Sequence, residues 1–172
     1  MKVIGLAGWS GAGKTTLVCK LIPELIARGH RVSTVKHAHH NFDVDTPGKD
    51  SYEHRQAGAS EVLVSSGRRW ALMHELRDEA EAPIEMLLAK LAPVDLVIVE
   101  GFKKEGHDKL EVYRRALGKP LLASEDPAVV AVLSDGPVPE TDKPVIDLDD
   151  IAAIASFVER HCGLAGAARQ RA

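Results

Sequence analysis

Residues 8–15, Gly-Trp-Ser-Gly-Ala-Gly-Lys-Thr, follow an apolar run and match the phosphate-loop pattern of two glycines, a lysine and a hydroxyl residue at fixed offsets. Glycine lets successive backbone N–H groups turn toward one anion, and a helix that begins near Lys14 adds the positive end of its dipole. We expect Lys14 to reach the β- and γ-phosphates and the Thr15 hydroxyl to bind Mg²⁺, because both leave the first helical turn. The pattern predicts a site for a nucleoside triphosphate.

The phosphate loop and the residue after it supply the groups expected around the phosphates. Lys14 is in addition predicted to be a catalytic residue of nucleotide hydrolysis. Thr16 has two interpretations, a direct phosphate contact and an ordinary residue of a helix start. The predicted nucleotide-binding residues of this segment are Gly8, Ser10, Gly11, Ala12, Gly13, Lys14, Thr15 and Thr16.

Two carboxylates bracket the apolar run Leu96–Val99, with Asp95 before it and Glu100 after it. At about 3.3 Å per strand residue the two lie roughly 16 Å apart, and ligands of open α/β sheets bind at the carboxyl ends of strands. We therefore assign Glu100 to the site, as an Mg²⁺ ligand or as the catalytic residue that orients a hydrolytic water. A solvated loop carboxylate is the alternative for Glu100, and Asp95 is assigned a structural role.

A polar segment, residues 37–50, leaves the second predicted strand at the same edge of the sheet. One carboxylate in it, Asp45 in preference to Asp43, is predicted to complete the Mg²⁺ shell and to let the loop respond to the γ-phosphate. The alternative is that both are solvated acids that serve turns.

Three histidines in this segment, His37, His39 and His40, allow a metal site, although three nearby residues of an extended loop do not readily converge on one ion. His37 at the strand end is alternatively expected to face the phosphates or a second anionic ligand. We expect the same of Lys103 and Lys104, which follow Glu100 and could also face the phosphates or a second anionic ligand.

The base is harder to assign, because the chain lacks the Asn-Lys-x-Asp signature of many guanine-specific proteins. Asp135 follows the apolar run Val129–Leu133, where a base would rest. A carboxylate there accepts both N–H donors of guanine, so Asp135 is the predicted base contact.

Apolar periodicity predicts an α/β fold with a mostly parallel sheet flanked by helices. The phosphate loop between its first strand and first helix makes the expected fold similar to that of P-loop NTPases. Two further apolar runs, 62–64 and 70–73, predict an antiparallel hairpin added to the sheet, with an edge that a partner chain pairs. A terminal helix capped by Asp149 or Asp150 is expected. The predicted strands of the parallel sheet are 3–7, 32–36, 96–99, 109–113, 129–133 and 144–146, and the earlier helices 14–29, 51–57 and 83–92.

The chain of 172 residues predicts one nucleotide-binding domain over residues 1–163 and a disordered tail over 164–172. Twenty-two Lys and Arg against 25 Asp and Glu give a net charge of -3, which argues against nucleic acid or a membrane surface as the main partner. No apolar stretch approaches the roughly 20 residues that span a bilayer, and Cys19 and Cys162 suit reduced thiols. We expect a cytoplasmic protein with a small ligand.

Together with the phosphate loop, four further segments resemble the MobB family of molybdopterin-guanine dinucleotide biosynthesis proteins, over about residues 1–160. The resemblance implies a homodimeric GTP-binding protein that assists the guanylyltransferase attaching GMP to molybdopterin, with weak Mg²⁺-dependent GTP hydrolysis of its own. It implies partners of two kinds, this guanylyltransferase and molybdopterin or its guanine dinucleotide, and it places Glu100 and the acidic loop near Mg²⁺. The four segments are Val35–Phe42, Asp45–Ser51, Ala57–Ala59 and Val97–Lys103.

A phosphate loop alone does not separate nucleotide-gated binding from phosphoryl transfer. The alternatives are therefore a small-molecule kinase and a metal-insertion GTPase that uses the histidine loop. A kinase of this type needs an arginine-rich covering segment, for which Arg68-Arg69 and Arg114-Arg115 are the candidates.

Overall fold

A computed structural model describes residues 1–38, 42–102 and 105–164 of the chain. Two units are distinguished, unit 1 with Met1–His37 and Ile84–Ala172, and unit 2 with Ala38–Pro83. The elements in chain order are β1 (Lys2–Ala7), α1 (Lys14–Ala27), β2 (Val32–Lys36), α2 (Asp50–Gln56), β3 (Glu61–Ser65), β4 (Trp70–His74), α3 (Ile84–Ala89), β5 (Leu96–Glu100), β6 (Lys109–Tyr113), β7 (Val129–Ser134), β8 (Val145–Asp147) and α4 (Ile151–Cys162), with 3₁₀ turns at Arg115–Leu117 and Leu122–Ser124.

A six-stranded parallel sheet forms the framework of unit 1, in the order β2-β5-β1-β6-β7-β8. Glu100, at the end of β5, pairs with Leu6 of β1 on one side and with Lys36 of β2 on the other. The carboxyl ends of these three strands therefore lie side by side, which is the edge where ligands bind in such sheets. The predicted parallel sheet is confirmed, and its strands lie within one residue of the predicted bounds.

The two faces of the sheet are covered by different elements. Leu96 and Ile98 of β5 pack into the main core with α1 and α4, whereas Val97 and Val99 pack on the other face with Ile84 of α3. Leu96, Val97, Ile98 and Val99 are each at most 1% exposed. The continuous apolar run is thus that of a strand buried on both faces, as parallel sheets require.

The residues at the ends of the helices of unit 1 account for where α1 and α4 begin. Gly13, with a φ of 99°, precedes the first turn of α1, and Leu17 and Leu21 of that helix are buried in the main core. Asp150 caps α4, because its Oδ1 accepts a hydrogen bond of 2.9 Å from the backbone N–H of Ala153. The predicted cap is confirmed, whereas α3 is shorter than the predicted helix 83–92.

Unit 2 contains α2 and a two-stranded antiparallel sheet of β3 and β4. The register runs from Glu61 opposite His74 to Ser65 opposite Trp70, so the predicted hairpin is confirmed. The hairpin was expected to extend the parallel sheet, and this part of the prediction is wrong, because in the described part of the chain the hairpin forms a sheet of its own. The turn between the two strands pairs one edge of β3 with one edge of β4. The alternation of apolar residues does not specify what the two outer edges pair with.

The end of the chain is described only as far as Leu164. This residue, the first of the predicted tail, is 3% exposed and belongs to the main core, while 165–172 lie outside the described residues. The prediction of a single domain over 1–163 stays a prediction. Of the helices that the structure describes, none has the length and apolar character to cross a membrane.

Candidate functional site

The phosphate loop, residues 8–15, is the turn between β1 and α1, and its three glycines all have positive φ. The values are 139° at Gly8, 82° at Gly11 and 99° at Gly13. A Cβ added at Gly8 would lie 2.5 Å from the carbonyl oxygen of Val112 in β6, which is closer than such atoms approach. The loop therefore packs on β6 through a position that only glycine fills, and its backbone has the freedom that anion-binding turns need.

A cavity of about 370 Å³ opens beside this loop, a volume at the lower end of the usual range for small-molecule sites. Six of the predicted nucleotide-binding residues line it together with Glu100. Of the other predicted residues in the loop, Gly8 faces β6 and Ala12 is buried at 1% exposure. The residues that line the cavity are Ser10, Gly11, Gly13, Lys14, Thr15, Thr16 and Glu100.

The Lys14 side chain lies across the phosphate loop. Its Nζ donates hydrogen bonds of 2.9 Å to the carbonyl oxygen of Gly8 and 3.1 Å to that of Trp9. These contacts hold the ammonium group against the loop, beside the cavity that Lys14 lines. A positive charge at this point suits the β- and γ-phosphates of a nucleotide.

Thr15 and Glu100 meet across the cavity from two different elements. The Thr15 hydroxyl at the start of α1 donates a hydrogen bond of 3.3 Å to Oε1 of Glu100 at the end of β5. Hydroxyl and carboxylate oxygens are the hard ligands that Mg²⁺ takes in proteins, so this pair fits the ion. Asp95, at the opposite end of β5, instead accepts a hydrogen bond of 2.8 Å from the backbone N–H of Arg31.

Asp45 has its contacts within unit 2. Its Oδ1 accepts hydrogen bonds from the Thr46 N–H at 3.0 Å and from the Ser51 hydroxyl at 2.8 Å, and its Oδ2 lies 3.6 Å from Nε of Arg55. The side chain is only 8% exposed. The contacts with Thr46 and Ser51 agree with a role in the turn, but the side chain is not the solvated acid of that alternative. The Mg²⁺ role of Asp45 stays a prediction.

Asp43 is also held by its neighbours in unit 2. The backbone N–H of Asp45 and the guanidinium of Arg55 both donate to it, at 2.9 Å and 2.7 Å. These donors lower the pKa of the Asp43 carboxyl, the backbone hydrogen bond having the larger effect. Both loop acids are therefore tied to α2 through Arg55.

The histidine segment is described only in part. The ring of His37 lies 4.9 Å from that of Phe102, measured between centroids. His39 and His40 lie outside the described residues, as do Lys103 and Lys104. Within 1–38, 42–102 and 105–164, no three His, Cys, Asp or Glu side chains are grouped so as to hold a metal ion.

Asp135, the predicted base contact, is joined to the phosphate loop by Arg114. Nη1 of Arg114 donates a hydrogen bond of 2.7 Å to Oδ2 of Asp135, and Nε donates one of 3.1 Å to the carbonyl oxygen of Ala12. From the sequence Arg114 is a candidate only for the covering segment of a kinase, and its contacts with Ala12 and Asp135 were not predicted. The sequence shows only that Arg114 directly follows the predicted strand 109–113, and the pairing of that strand, β6, with the phosphate-loop strand β1 is known from the structure.

The segment that follows Arg114 contacts the phosphate loop through Trp9. The indole Nε1 of Trp9 donates a hydrogen bond of 2.8 Å to the carbonyl oxygen of Pro120, and the Lys119 ammonium lies 5.7 Å from the centre of the indole ring. Buried Glu111 anchors the far end of this segment by accepting backbone N–H groups of Leu122 and Ala123, both at 2.8 Å. Burial raises the pKa of Glu111 above its ordinary value, against the opposing effect of these two hydrogen bonds.

Comparison with known proteins gives a consistent result. The family model described as molybdopterin guanine dinucleotide synthesis protein B (MobB) matches residues 3–135. The molybdopterin-guanine dinucleotide biosynthesis adapter protein of Escherichia coli (strain K12) is 46% identical over 159 residues, which cover 91% of this chain and 90% of that protein. The protein of the same description from Haemophilus influenzae is 44% identical over 163 residues, which cover 91% and 87%.

Solved structures agree with the sequence comparisons. A crystal structure of molybdopterin-guanine biosynthesis protein B has a TM-score of 0.74 at 28% identity and covers 92% of this chain and 99% of its own. The MobB homologue from Bacillus stearothermophilus has a TM-score of 0.71 at 25% identity and covers 95% and 99%. The similarity therefore extends over both units of the fold.

Proposed function

The chain belongs to the MobB family, and from that premise we propose that it is a GTP-binding adapter that assists the attachment of GMP to molybdopterin. The observation that carries the nucleotide part of this proposal is the cavity between the phosphate loop and Glu100. The adapter part is supported by the relatives in Escherichia coli and Haemophilus influenzae, whose names describe adapters of molybdopterin-guanine dinucleotide biosynthesis.

In this proposal the phosphate loop and the first turn of α1, residues 8–16, hold the triphosphate. Backbone N–H groups bind its oxygens, and the Lys14 ammonium neutralises charge on the β- and γ-phosphates. The Thr15 hydroxyl and the Glu100 carboxylate are the residues that would hold Mg²⁺. The ion, when bound, supplies further positive charge to the phosphate oxygens.

Hydrolysis is a secondary activity in this proposal. Glu100 is the residue placed to orient a water, because it lines the same cavity as Lys14 and Thr15. The nucleotide-bound state presented to a guanylyltransferase is the working state of an adapter, and slow turnover preserves that state. The small-molecule kinase alternative has no support from these two relatives, which are described as adapters.

We further propose that two copies associate through the hairpin of unit 2. Leu63, Trp70 and Leu72 lie on one face of β3 and β4, and they are 62%, 66% and 41% exposed. Among the residues that the structure describes, β3 and β4 pair only with each other, so their outer edges are open to a further strand. A second copy of the chain would cover this apolar face. The free thiols Cys19 and Cys162 fit a reducing compartment, so we place the protein in the cytoplasm.

The adapter function is tested by reconstituting guanylyl transfer with a guanylyltransferase of this pathway, molybdopterin and limiting GTP with Mg²⁺. We expect the wild-type chain to raise the rate of dinucleotide formation and the Lys14→Ala variant to leave it at the level without the chain. Heat-denatured chain is the control for nonspecific effects. Equal rates with and without the wild-type chain would overturn the adapter proposal.

A further inference from the structure

Arg114 lies where three segments of unit 1 meet: the end of β6, the phosphate loop, and the end of β7. Its Nε donates to the Ala12 carbonyl oxygen at 3.1 Å and its Nη1 donates to Oδ2 of Asp135 at 2.7 Å. The side chains of Arg114 and Asp135 are 36% and 37% exposed, so their ion pair by itself contributes little stability. What the guanidinium supplies is geometry, because its donors have fixed directions within one rigid plane.

The contact with Ala12 has a consequence for the next peptide group. The carbonyl of Ala12 and the N–H of Gly13 belong to one peptide unit, which is trans as in the rest of the described backbone. In a trans peptide the C=O and N–H point in opposite directions. A guanidinium that holds the Ala12 oxygen therefore turns the Gly13 N–H away from Arg114, and Gly13 lines the cavity.

The contact with Asp135 leaves that carboxylate able to accept further donors. An ionised carboxylate has about four lone-pair sites, and Arg114 takes one of them on Oδ2. The guanidinium thus fixes the orientation of the carboxylate that is expected to accept the N–H groups of guanine. The same rigid group also fixes the orientation of the peptide that is expected to bind phosphate.

We propose that Arg114 is a positioning residue for nucleotide binding that couples the phosphate loop to the base contact Asp135. Loss of Arg114 then weakens the hold on the phosphates and the selection of guanine together. This inference rests on the proposed function, because it needs GTP to bind at the phosphate loop. It goes beyond that function by assigning to Arg114 a part in selectivity through the two groups that it positions, the Ala12 carbonyl and the Asp135 carboxylate.

Arg115 provides a matched control. Its Nη2 lies 2.9 Å from both carboxylate oxygens of Glu140, so it also joins the segment after β6 to the segment after β7. Its pKa is raised by this carboxylate, as expected of a direct ion pair. Removing Arg115 deletes a similar bridge between the same segments while the contacts of Arg114 with Ala12 and Asp135 remain.

Calorimetric titration with GTP, ATP and inorganic tripolyphosphate, each with Mg²⁺, tests the coupling in Arg114→Ala, Arg114→Lys, Arg115→Ala and Asp135→Asn. We expect Arg114→Ala to lower the affinity for tripolyphosphate and for GTP by about tenfold or more and to reduce the preference for GTP over ATP. Asp135→Asn is expected to lose the preference while keeping tripolyphosphate affinity. Arg115→Ala is expected to resemble the wild type within about twofold.

Arg114→Lys keeps the positive charge but lacks the planar fork, so it is expected to lose the preference for GTP even if Arg114→Ala does not fold. A GTP preference and a tripolyphosphate affinity equal to those of Arg115→Ala, in either Arg114 variant that folds, would overturn the coupling. If the wild-type chain binds neither GTP nor tripolyphosphate, the proposed function itself fails, and the coupling fails with it. The wild-type titration therefore separates the two failures.

Discussion

At the scale of single residues, the candidate site depends on groups that lie close in space and come from the ends of separate elements. Lys14 and Thr15 begin α1, and Glu100 ends β5, 85 residues away from Thr15. Phosphate-loop residues were predictable because their spacing is local, and Glu100 because strand ends in such sheets share one edge. The contacts of Arg114 were not predictable, since its acceptor Ala12 is 102 residues away and the contact exists only once β1 and β6 are paired.

Glu100→Gln tests the assignment of the site carboxylate. The amide keeps nearly the same shape and an oxygen that can still face Mg²⁺ but loses the negative charge, so we expect GTP hydrolysis to fall about 100-fold and the affinity for GTP with Mg²⁺ to fall by much less, about tenfold at most. Single-turnover hydrolysis and calorimetric titration measure the two quantities separately. Asp95→Asn at the other end of β5 is the control and should leave hydrolysis unchanged. Equal losses of binding and hydrolysis in Glu100→Gln would show that Glu100 only shapes the cavity.

Glu159 gives a prediction for the dependence of stability on pH. Burial raises the pKa of this carboxyl, but hydrogen bonds from His30 and Arg28, both at 2.8 Å, outweigh it and lower the pKa below the ordinary value of 4.5. A lowered folded-state pKa contributes stability that is present above pH 4.5 and is lost as the pH falls through the folded value.

We therefore expect Glu159→Gln to reduce the free energy of unfolding by roughly 1–2 kcal/mol at pH 7. The difference from the wild type should shrink as the pH falls below about 4.5. Urea unfolding at pH 7 and at pH 3.5 measures it, with the exposed Glu125→Gln as control, expected within about 0.5 kcal/mol of the wild type. A difference that grows toward low pH would contradict the assignment.

At the scale of elements, the fold is held by close approaches that tolerate little change. β1 and β6 are paired, and the glycine that follows β1 lies directly against the β6 carbonyl of Val112. The strands were predictable from apolar runs, which gave bounds within one residue. That β3 and β4 form a sheet of their own was not predictable, because apolar alternation specifies a hairpin but not whether its edges join another sheet.

Gly8→Ala tests this close approach. The added methyl group would meet the Val112 oxygen at 2.5 Å, and φ at Gly8 is 139°, so the loop must shift. We expect the free energy of unfolding to fall by at least about 2 kcal/mol and GTP binding to be lost. Gly67→Ala is the control, because a Cβ there has nothing within 4 Å, and its effect should stay within about 0.5 kcal/mol. Equal stability of the two variants would disprove the packing argument.

At the scale of the whole molecule, the proposed adapter needs a surface for a partner as well as a site for a nucleotide. The apolar face of the hairpin is the surface assigned to a second copy. Its composition was predictable from the apolar runs at 62–64 and 70–73, whereas its exposure was not, because the runs were expected to join the parallel sheet.

Sedimentation equilibrium tests the assignment of this face. We expect the wild-type chain to have twice the chain mass of 18.6 kDa. Substituting Leu63→Ser with Trp70→Ser should yield the single-chain mass, because the apolar area that a second copy covers is removed. Arg68→Ala in the hairpin turn is the control and should leave the mass unchanged. A double variant that retains the mass of two chains would place the interface elsewhere.

The central claim is that the phosphate loop binds a nucleoside triphosphate, and calorimetric titration of GTP with Mg²⁺ into the wild-type chain and Lys14→Ala tests it most directly. The account predicts one saturable site per chain in the wild type and a loss of at least about 100-fold in affinity in the variant, since a charged hydrogen-bond donor to the phosphates is removed. Circular dichroism of both proteins checks that the fold is retained. A folded Lys14→Ala variant that binds GTP as tightly as the wild type would contradict the account.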